Sequence, residues 1–475
     1  MEFNLADLFE IVVDEVPDRL ALVAGLERRT YRELDERANR VAHHLIAAGV
    51  RPGDHVAVHA WNRAEWLEAE LGIYKARAAV VNVNYRYVAG ELAYLLENSD
   101  SVAVITEAAF APLLLEARDT APKVRHVVAL DDGSTDAESG AALTALEAVG
   151  YEEALAGARG ERGFGPRSSD DPYLLYTGGT TGVPKGVVWR AEDIFFAALG
   201  GGGFGQPPIT RPEELVGRVS ETPTVGVVNA PMMHGGGQWV TFITFYGGNT
   251  VVLNCDRHYD GDAVLRLAER EHATSIMVVG DAMARPLADA LAASGAHYDL
   301  SALAAIGSGG AILSPAVKEE LRARLPGVLV TDSFGASETG AAGTVLDFEG
   351  PAAGPRFTIS DWVTVLDDDG RRVEPGSGRV GRLARRGHIP LAYYKDPEKT
   401  AATFVTDPDG VRWVVPGDYA TIEADGTLNL LGRGSVCINT GGEKVYPEEV
   451  EAALKAHPDV FDAVVVGIPD VRLGE

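Results

Sequence analysis

The chain has 475 residues, with 42 Lys and Arg against 69 Asp and Glu, a net charge of −27, and 46% apolar residues. So acidic a composition opposes docking on nucleic-acid phosphates or anionic lipid, which need a basic neutralising surface, and it favours small-molecule chemistry. Two cysteines, Cys255 and Cys437, cannot build a disulfide framework. The first apolar stretch carries acids, and no run approaches the roughly 20 apolar residues of a bilayer span. A cytoplasmic protein without a transmembrane segment is therefore expected.

In chain order, the first 340 residues alternate short Val/Ile/Ala-rich runs with helical patterns, the rhythm of parallel α/β layers. Leu20–Gly25 and His55–Trp61 read as strands. Between them Thr30 and Glu33 form a capping box, followed by Leu34, Ala38, Val41, Ala42, Leu45 and Ile46 at helical spacing, with Gly49 as the stop. Further strands are predicted at 102–106, 124–130, 173–177, 227–231, 275–279 and 328–332. After Gly354 short alternating segments with Gly, Pro and Asp turns predict antiparallel sheet or a small barrel, and DDDG at 367–370 reads as a hairpin turn, not a calcium loop. Beyond Gly432 the pattern is strand, turn, helix from Pro447, and strand.

The densest chemical signal is YTGGTTGVPKG at 176–186. Such a loop can turn successive backbone N–H groups inward, add hydroxyls from Thr177, Thr180 and Thr181, and set the Lys185 ammonium against phosphate oxygens. It is not a Walker loop, because Pro184 and Gly186 flank Lys185 where that motif needs Gly before and Ser or Thr after. Gly200, Gly202 and Gly205 spell GxGxxG, but no strand precedes them and Gln206-Pro207-Pro208 follows, which excludes a dinucleotide fingerprint. HGGG at 234–237 raises a serine hydrolase, yet the nearest nucleophile elbow, Gly335-Ala336-Ser337-Glu338-Thr339, lacks its final glycine.

TGGTTGVPKG resembles the phosphate-binding loop of the adenylate-forming superfamily. Three more blocks match in the same order: DSFGASETG at 332–340, PGDYATIEADGTLNLLGR at 416–433 and NTGGEKVYPEEVEAAL at 439–454. The chain is most similar to actinobacterial steroid side-chain and long-chain acyl-CoA ligases. The resemblance implies an α/β fold. Its large adenylation domain spans 1–432, with two α/β subdomains and a small β-barrel at about 345–432, and a small α+β C-terminal domain begins at 433. It also implies ATP, Mg2+ and coenzyme A as co-substrates and cofactor, acyl-adenylate formation, and then thioester formation. Residue by residue, Thr177, Gly178, Gly179, Thr181 and Gly182 hold phosphate with Lys185 and Thr180. Phe334 stacks on adenine, Asp332 reaches its amino group, Ser337 lies near the α-phosphate, and Glu338 ligates magnesium. Asp418 accepts the ribose hydroxyls and Arg433 lies near ribose and phosphate. His234, Gly309 and Gly310 border the acyl pocket.

Three departures stand out. Gly178 replaces the usual serine, Ser435 and Val436 replace the usual charged hinge residues, and the family's catalytic lysine would fall well beyond Glu475. The chain as given is accordingly expected to bind ATP and acid but to adenylate weakly. Glycine- and alanine-rich segments at Gly235–Trp239, Gly307–Ala311 and Gly340–Gly343 predict room for a bulky apolar acid, a steroid side-chain or long-chain fatty acid. The expected partners are the carboxylic acid, ATP and CoA, with no nucleic acid. Oligomeric state is not legible, a homodimer being only the commonest assembly.

Overall fold

A computed structural model describes residues 2–468 apart from 179–182, 204–205, 296, 346–355, 434–437, 441–442, 446, 456, 458–459 and 461–462. It divides into two compact units, one of residues 1–258 with 390–397 and one of residues 259–389 with 398–475.

The first unit holds three sheets. Ala79–Asn82, His55–His59, Ser101–Glu107, His126–Leu130 and Val149–Gly150 pair in parallel in that order. Every residue of Ser101–Glu107 is buried, as a parallel strand covered on both faces requires, and its centre, residues 102–105, is continuously apolar. Leu20–Ala24, Thr250–Leu253 and Val225–Val228 form a second parallel set, with Glu27–Thr30 antiparallel at its edge. The third sheet is antiparallel and joins Pro172–Thr177, Lys185–Arg190 and Ala392–Tyr393.

The helix Tyr31–Ala47 starts at the foreseen capping box: the Glu33 amide donates to Thr30 Oγ1 at 3.2 Å and the Thr30 amide to Glu33 Oε2 at 2.8 Å. Gly49 stops it with φ +90°. Its buried stripe includes Leu34, Ala38, Val41, Ala42 and Leu45, but Ile46 is 44% exposed because it falls just off that stripe. The helix packs on Ala64–Lys75 so closely that a Cβ on Gly72 would lie 2.6 Å from the Val41 side chain.

In the second unit Ser275–Val278, Ala305–Gly309 and Leu329–Ala336 run parallel. The sheet then turns antiparallel through Gly340–Val345, Arg356–Ile359, Leu428–Arg433, Asp418–Ile422 and Gly381–Arg385. DDDG is a hairpin turn as expected, with Asp367 accepting the Asp369 and Arg371 amides and Gly370 at φ +75°. Ile438–Thr440 pairs with Glu443–Val445 ahead of the helix Pro447–Lys455. The strand expected after that helix is not formed: residues 463–468 are irregular, with Val464, Val466 and Ile468 exposed.

Candidate active site

The site residues read from the sequence divide between the units. In the first, Thr177 ends one strand, Lys185 begins the next, and the two are direct cross-strand partners. The ladder therefore closes the glycine-rich loop at its base and fixes where its ends stand. Gly186 permits this, since a Cβ there would lie 2.9 Å from both Leu174 Cδ1 and the Tyr176 ring. Gly178 is exposed, with nothing among the described residues within 4 Å of where its Cβ would be. Gly179, Thr180, Thr181 and Gly182 lie outside the described residues. Lys185 is about one-third exposed, and its ammonium sits 2.5 Å from Asp396 Oδ2.

Sequence reasoning missed the side chain that ties this loop to its neighbour. Asn82, buried at the end of its strand, accepts the Tyr176 amide at 2.7 Å and donates to the carbonyls of Tyr176 at 2.8 Å and Met233 at 2.6 Å. It fixes the strand leading into the glycine-rich loop to the residue just before His234. A polar amide in the apolar run AVVNVN was the available signal, because a buried amide must find partners.

His234 is the N-cap residue of the helix Gly235–Tyr246. The ring is exposed by surface area yet sits low enough against the chain that burial, and then the Arg86 charge, lower its pKa. The glycines after it serve packing. A Cβ on Gly235 would meet Leu175 at 2.8 Å and Trp239 at 3.0 Å, and one on Gly237 would lie 2.6 Å from the Pro231 carbonyl oxygen. The expected room is thus already filled at these two positions. At Gly309 and Gly310 it is not: the nearest atoms stand at ordinary contact distance, 3.5 and 3.7 Å, and Gly310 has φ +86°.

In the second unit Asp332 and Phe334 lie two apart on the strand Leu329–Ala336, which places them on one face. Asp332 is 5% exposed, paired with Ser308 on one side and Val345 on the other. Burial pushes its carboxyl up to about 7, against the opposing effects of Lys318 and of hydrogen bonds from Ser333, Leu313 and Ser308. Phe334 lies across Gly343, whose Cβ would fall 2.5 Å from the ring, and meets Phe357 edge to face at 4.6 Å.

The strand ends in a tight turn. The Thr339 amide donates to the Ala336 carbonyl at 3.0 Å, and buried Thr339 Oγ1 accepts the Ala336 amide at 2.9 Å. Ser337 and Glu338 occupy the two central positions and are presented side by side. Gly335 is required there, because a Cβ would lie 2.3 Å from the Gly340 carbonyl oxygen. Asp418 follows Gly417, which has φ +107°, and pairs across the ladder with Arg433.

Among the described residues no group of three or more His, Cys, Asp or Glu side chains is placed to hold a metal. Magnesium does not need one, since it is held by one or two carboxylates with substrate phosphates and water. One carboxylate beside a hydroxyl on a locked turn fits that donor set.

A family model described as AMP-binding enzyme matches residues 9–394. The chain belongs to this AMP-binding enzyme family. It is 47% identical over 485 aligned positions to the 3-oxocholest-4-en-26-oate–CoA ligase of Rhodococcus rhodochrous, covering 100% of this chain and 86% of the relative. It is 48% identical to the medium/long-chain-fatty-acid–CoA/3-oxocholest-4-en-26-oate–CoA ligase of Mycolicibacterium smegmatis, with the same two coverages. Among solved structures, the anthranilate CoA ligase AuaEII with anthranoyl-AMP superposes with TM-score 0.83 at 24% identity, covering 98% of this chain and 85% of that one. ATP-bound MatB from Rhodopseudomonas palustris gives TM-score 0.80 at 25% identity, covering 99% and 87%. Like these, the AMP-binding enzyme described here is α/β. Among its described residues no helix is long and apolar enough to cross a membrane.

Proposed function

We propose that this enzyme is an ATP-dependent acyl-CoA ligase that activates a bulky apolar carboxylic acid, a steroid side-chain or long-chain fatty acid, as its adenylate and passes the acyl group to coenzyme A. The observation that carries the reading is the identity of about half the residues, across the whole chain, with ligases named for those acids.

Chemically, a carboxylate resists thiol attack because oxide would have to leave. Its ionised oxygen, already available near pH 7, attacks the α-phosphorus of ATP and pyrophosphate departs. The thiol then attacks the activated carbonyl and AMP departs. The first step needs in-line positioning and charge neutralisation, with no general base. Lys185, Thr177 and Gly178, with Gly179, Thr180, Thr181 and Gly182, are the residues we assign to the phosphates, and Ser337 to the α-phosphate oxygen. Phe334 and Asp332 are assigned to adenine, and Asp418 and Arg433 to the ribose. Glu338 would hold a magnesium ion, which would add positive charge at the phosphate oxygens. His234, Gly309 and Gly310 are assigned to the acid, the last two supported by Cβ positions that meet their neighbours at no less than ordinary contact distance.

The same reading divides the chain into an adenylation domain at 1–432 and a C-terminal domain from 433. Two cysteines in 475 residues support a reducing, cytoplasmic setting. Thioester formation measured by mass spectrometry with 3-oxocholest-4-en-26-oate, palmitate, octanoate and benzoate tests the substrate. Turnover of the sterol acid or palmitate ahead of the two smaller acids is expected, and preference for benzoate would refute the assignment. A medium/long-chain fatty acid preference is the second reading, favoured by the double name of the Mycolicibacterium relative.

A further inference from the structure

The segment 390–397 leaves the second unit's stretch of chain, joins the first unit, and is followed again by second-unit residues. Within the first unit it is pinned along its length. Ala392 and Tyr393 pair with Val188 and Val187, and the Tyr394 amide donates to the Gly186 carbonyl at 2.7 Å. The Tyr394 hydroxyl donates to Asp100 Oδ2 at 2.9 Å, and the Lys395 ammonium sits 2.7 Å from Asp100 Oδ1. Lys395 has φ +54°, a left-handed conformation that turns the chain at this point. Although burial opposes it, hydrogen bonds from Lys123, Lys395 and Tyr394 hold the Asp100 carboxyl down at about 2, so this anchor keeps its charge across the physiological range. The next residue is Asp396, whose carboxylate meets Lys185 at 2.5 Å, 211 residues away in sequence.

We propose that Asp396 is a positioning residue for Lys185, holding its ammonium at the base of the glycine-rich loop before ATP arrives. The inference rests on the assignment of Lys185 to the phosphates. A lysine ammonium has three N–H donors. One is given to Asp396, and among the described residues two remain to reach phosphate oxygens. A long, one-third exposed lysine otherwise samples many rotamers, and binding must then restrict it. A carboxylate on a segment that is itself held by pairing with Val187 and Val188 and, through Tyr394 and Lys395, by Asp100 supplies that restriction in advance. A flexible counter-ion could not act this way, which is why the anchoring of Tyr394 and Lys395 matters.

The test is calorimetric titration of the full chain with magnesium and a non-hydrolysable ATP analogue, and separately with AMP. Asp396→Asn is expected to weaken the ATP analogue about five- to tenfold, the scale of a lost positioning contact, with AMP affinity unchanged because AMP lacks the β- and γ-phosphates. Asp396→Glu is expected to recover most of the loss, and Lys185→Ala/Asp396→Asn to bind no more weakly than Lys185→Ala alone. A purely structural role would weaken AMP equally and would not be rescued by glutamate. Unchanged or tighter ATP-analogue binding in Asp396→Asn, with Lys185→Ala still weakened, would overturn the inference and leave the assignment of Lys185 standing. Unchanged binding in Lys185→Ala would overturn that assignment itself.

Discussion

Asn82 and Tyr176 exchange two hydrogen bonds, side-chain oxygen to backbone amide and side-chain amide to backbone carbonyl, with a third bond from Asn82 to the Met233 carbonyl. The side chain completes no ladder of its own; it substitutes for one between the end of a parallel strand and the strand that leads into the glycine-rich loop. Asn82→Ala would leave buried backbone groups unsatisfied and is expected to cost about 2–4 kcal/mol of stability. Urea unfolding at pH 7 reads that loss, and the Michaelis constant for ATP should rise with it as the loop base loosens.

Gly178 stands where the family resemblance implies a serine, yet its backbone needs no glycine: it has no left-handed φ, and among the described residues no atom lies within 4 Å of a Cβ built there. Gly178→Ser should therefore fold as stably as the parent, within about 0.5 kcal/mol. By restoring a hydroxyl donor it should lower the Michaelis constant for ATP about two- to fivefold. An increase would show that the loop depends on its bare backbone.

The raised carboxyl of Asp332 makes a signed statement about pH. Its folded pKa of about 7 exceeds the unfolded value, so the folded state binds the proton more tightly. Stability from this group is greatest below roughly pH 4, falls as pH rises toward 7, and is flat above that, with a total span on the order of 3–4 kcal/mol. Asp332→Asn, neutral throughout, should be the more stable protein at pH 8 and lose most of that advantage by pH 5. Paired urea midpoints at the two pH values check the trend; an advantage that did not change with pH would contradict it.

Glu338 sits at a central position of a turn locked by Thr339, so a change of its side chain leaves the turn's own hydrogen bonds in place. Glu338→Gln is expected to retain the fold and to raise the magnesium concentration needed for half-maximal pyrophosphate exchange about tenfold or more, since a neutral amide is a poor ligand for a hard cation. Gly335→Ala is the contrasting change. It drives a methyl into the Gly340 carbonyl and should cost about 2–3 kcal/mol of stability, as overpacking does.

Local signals carried the parts of this molecule that depend on local physics. The Thr30 and Glu33 cap, the strand read at 102–106 and the DDDG turn each follow from residues within a few positions of one another, and each formed, the strand one residue longer at either end. Ile46 was misplaced because a helical stripe has edges that spacing alone does not draw. The stretch 463–468 was misread because an apolar run marks a strand only where a partner strand supplies hydrogen bonds. The partners of Asn82 and Asp396 were not legible for a different reason. They lie 94 and 211 residues away, and a single Asn or Asp carries no periodicity that points across such a distance. The candidate site residues could be named from the sequence; the contacts that Lys185 and the loop base make could not.

The strap at 390–397 also bears on how the chain is made. Lys185–Arg190 waits for Ala392–Tyr393 as a neighbour, and all of residues 259–389 must leave the ribosome before that neighbour exists. Until then Val187 and Val188 form an open edge, the kind of nascent surface that invites mispairing. The amino-terminal half of this enzyme therefore cannot finish its own architecture first and wait: its last piece is delivered from the middle of the other half.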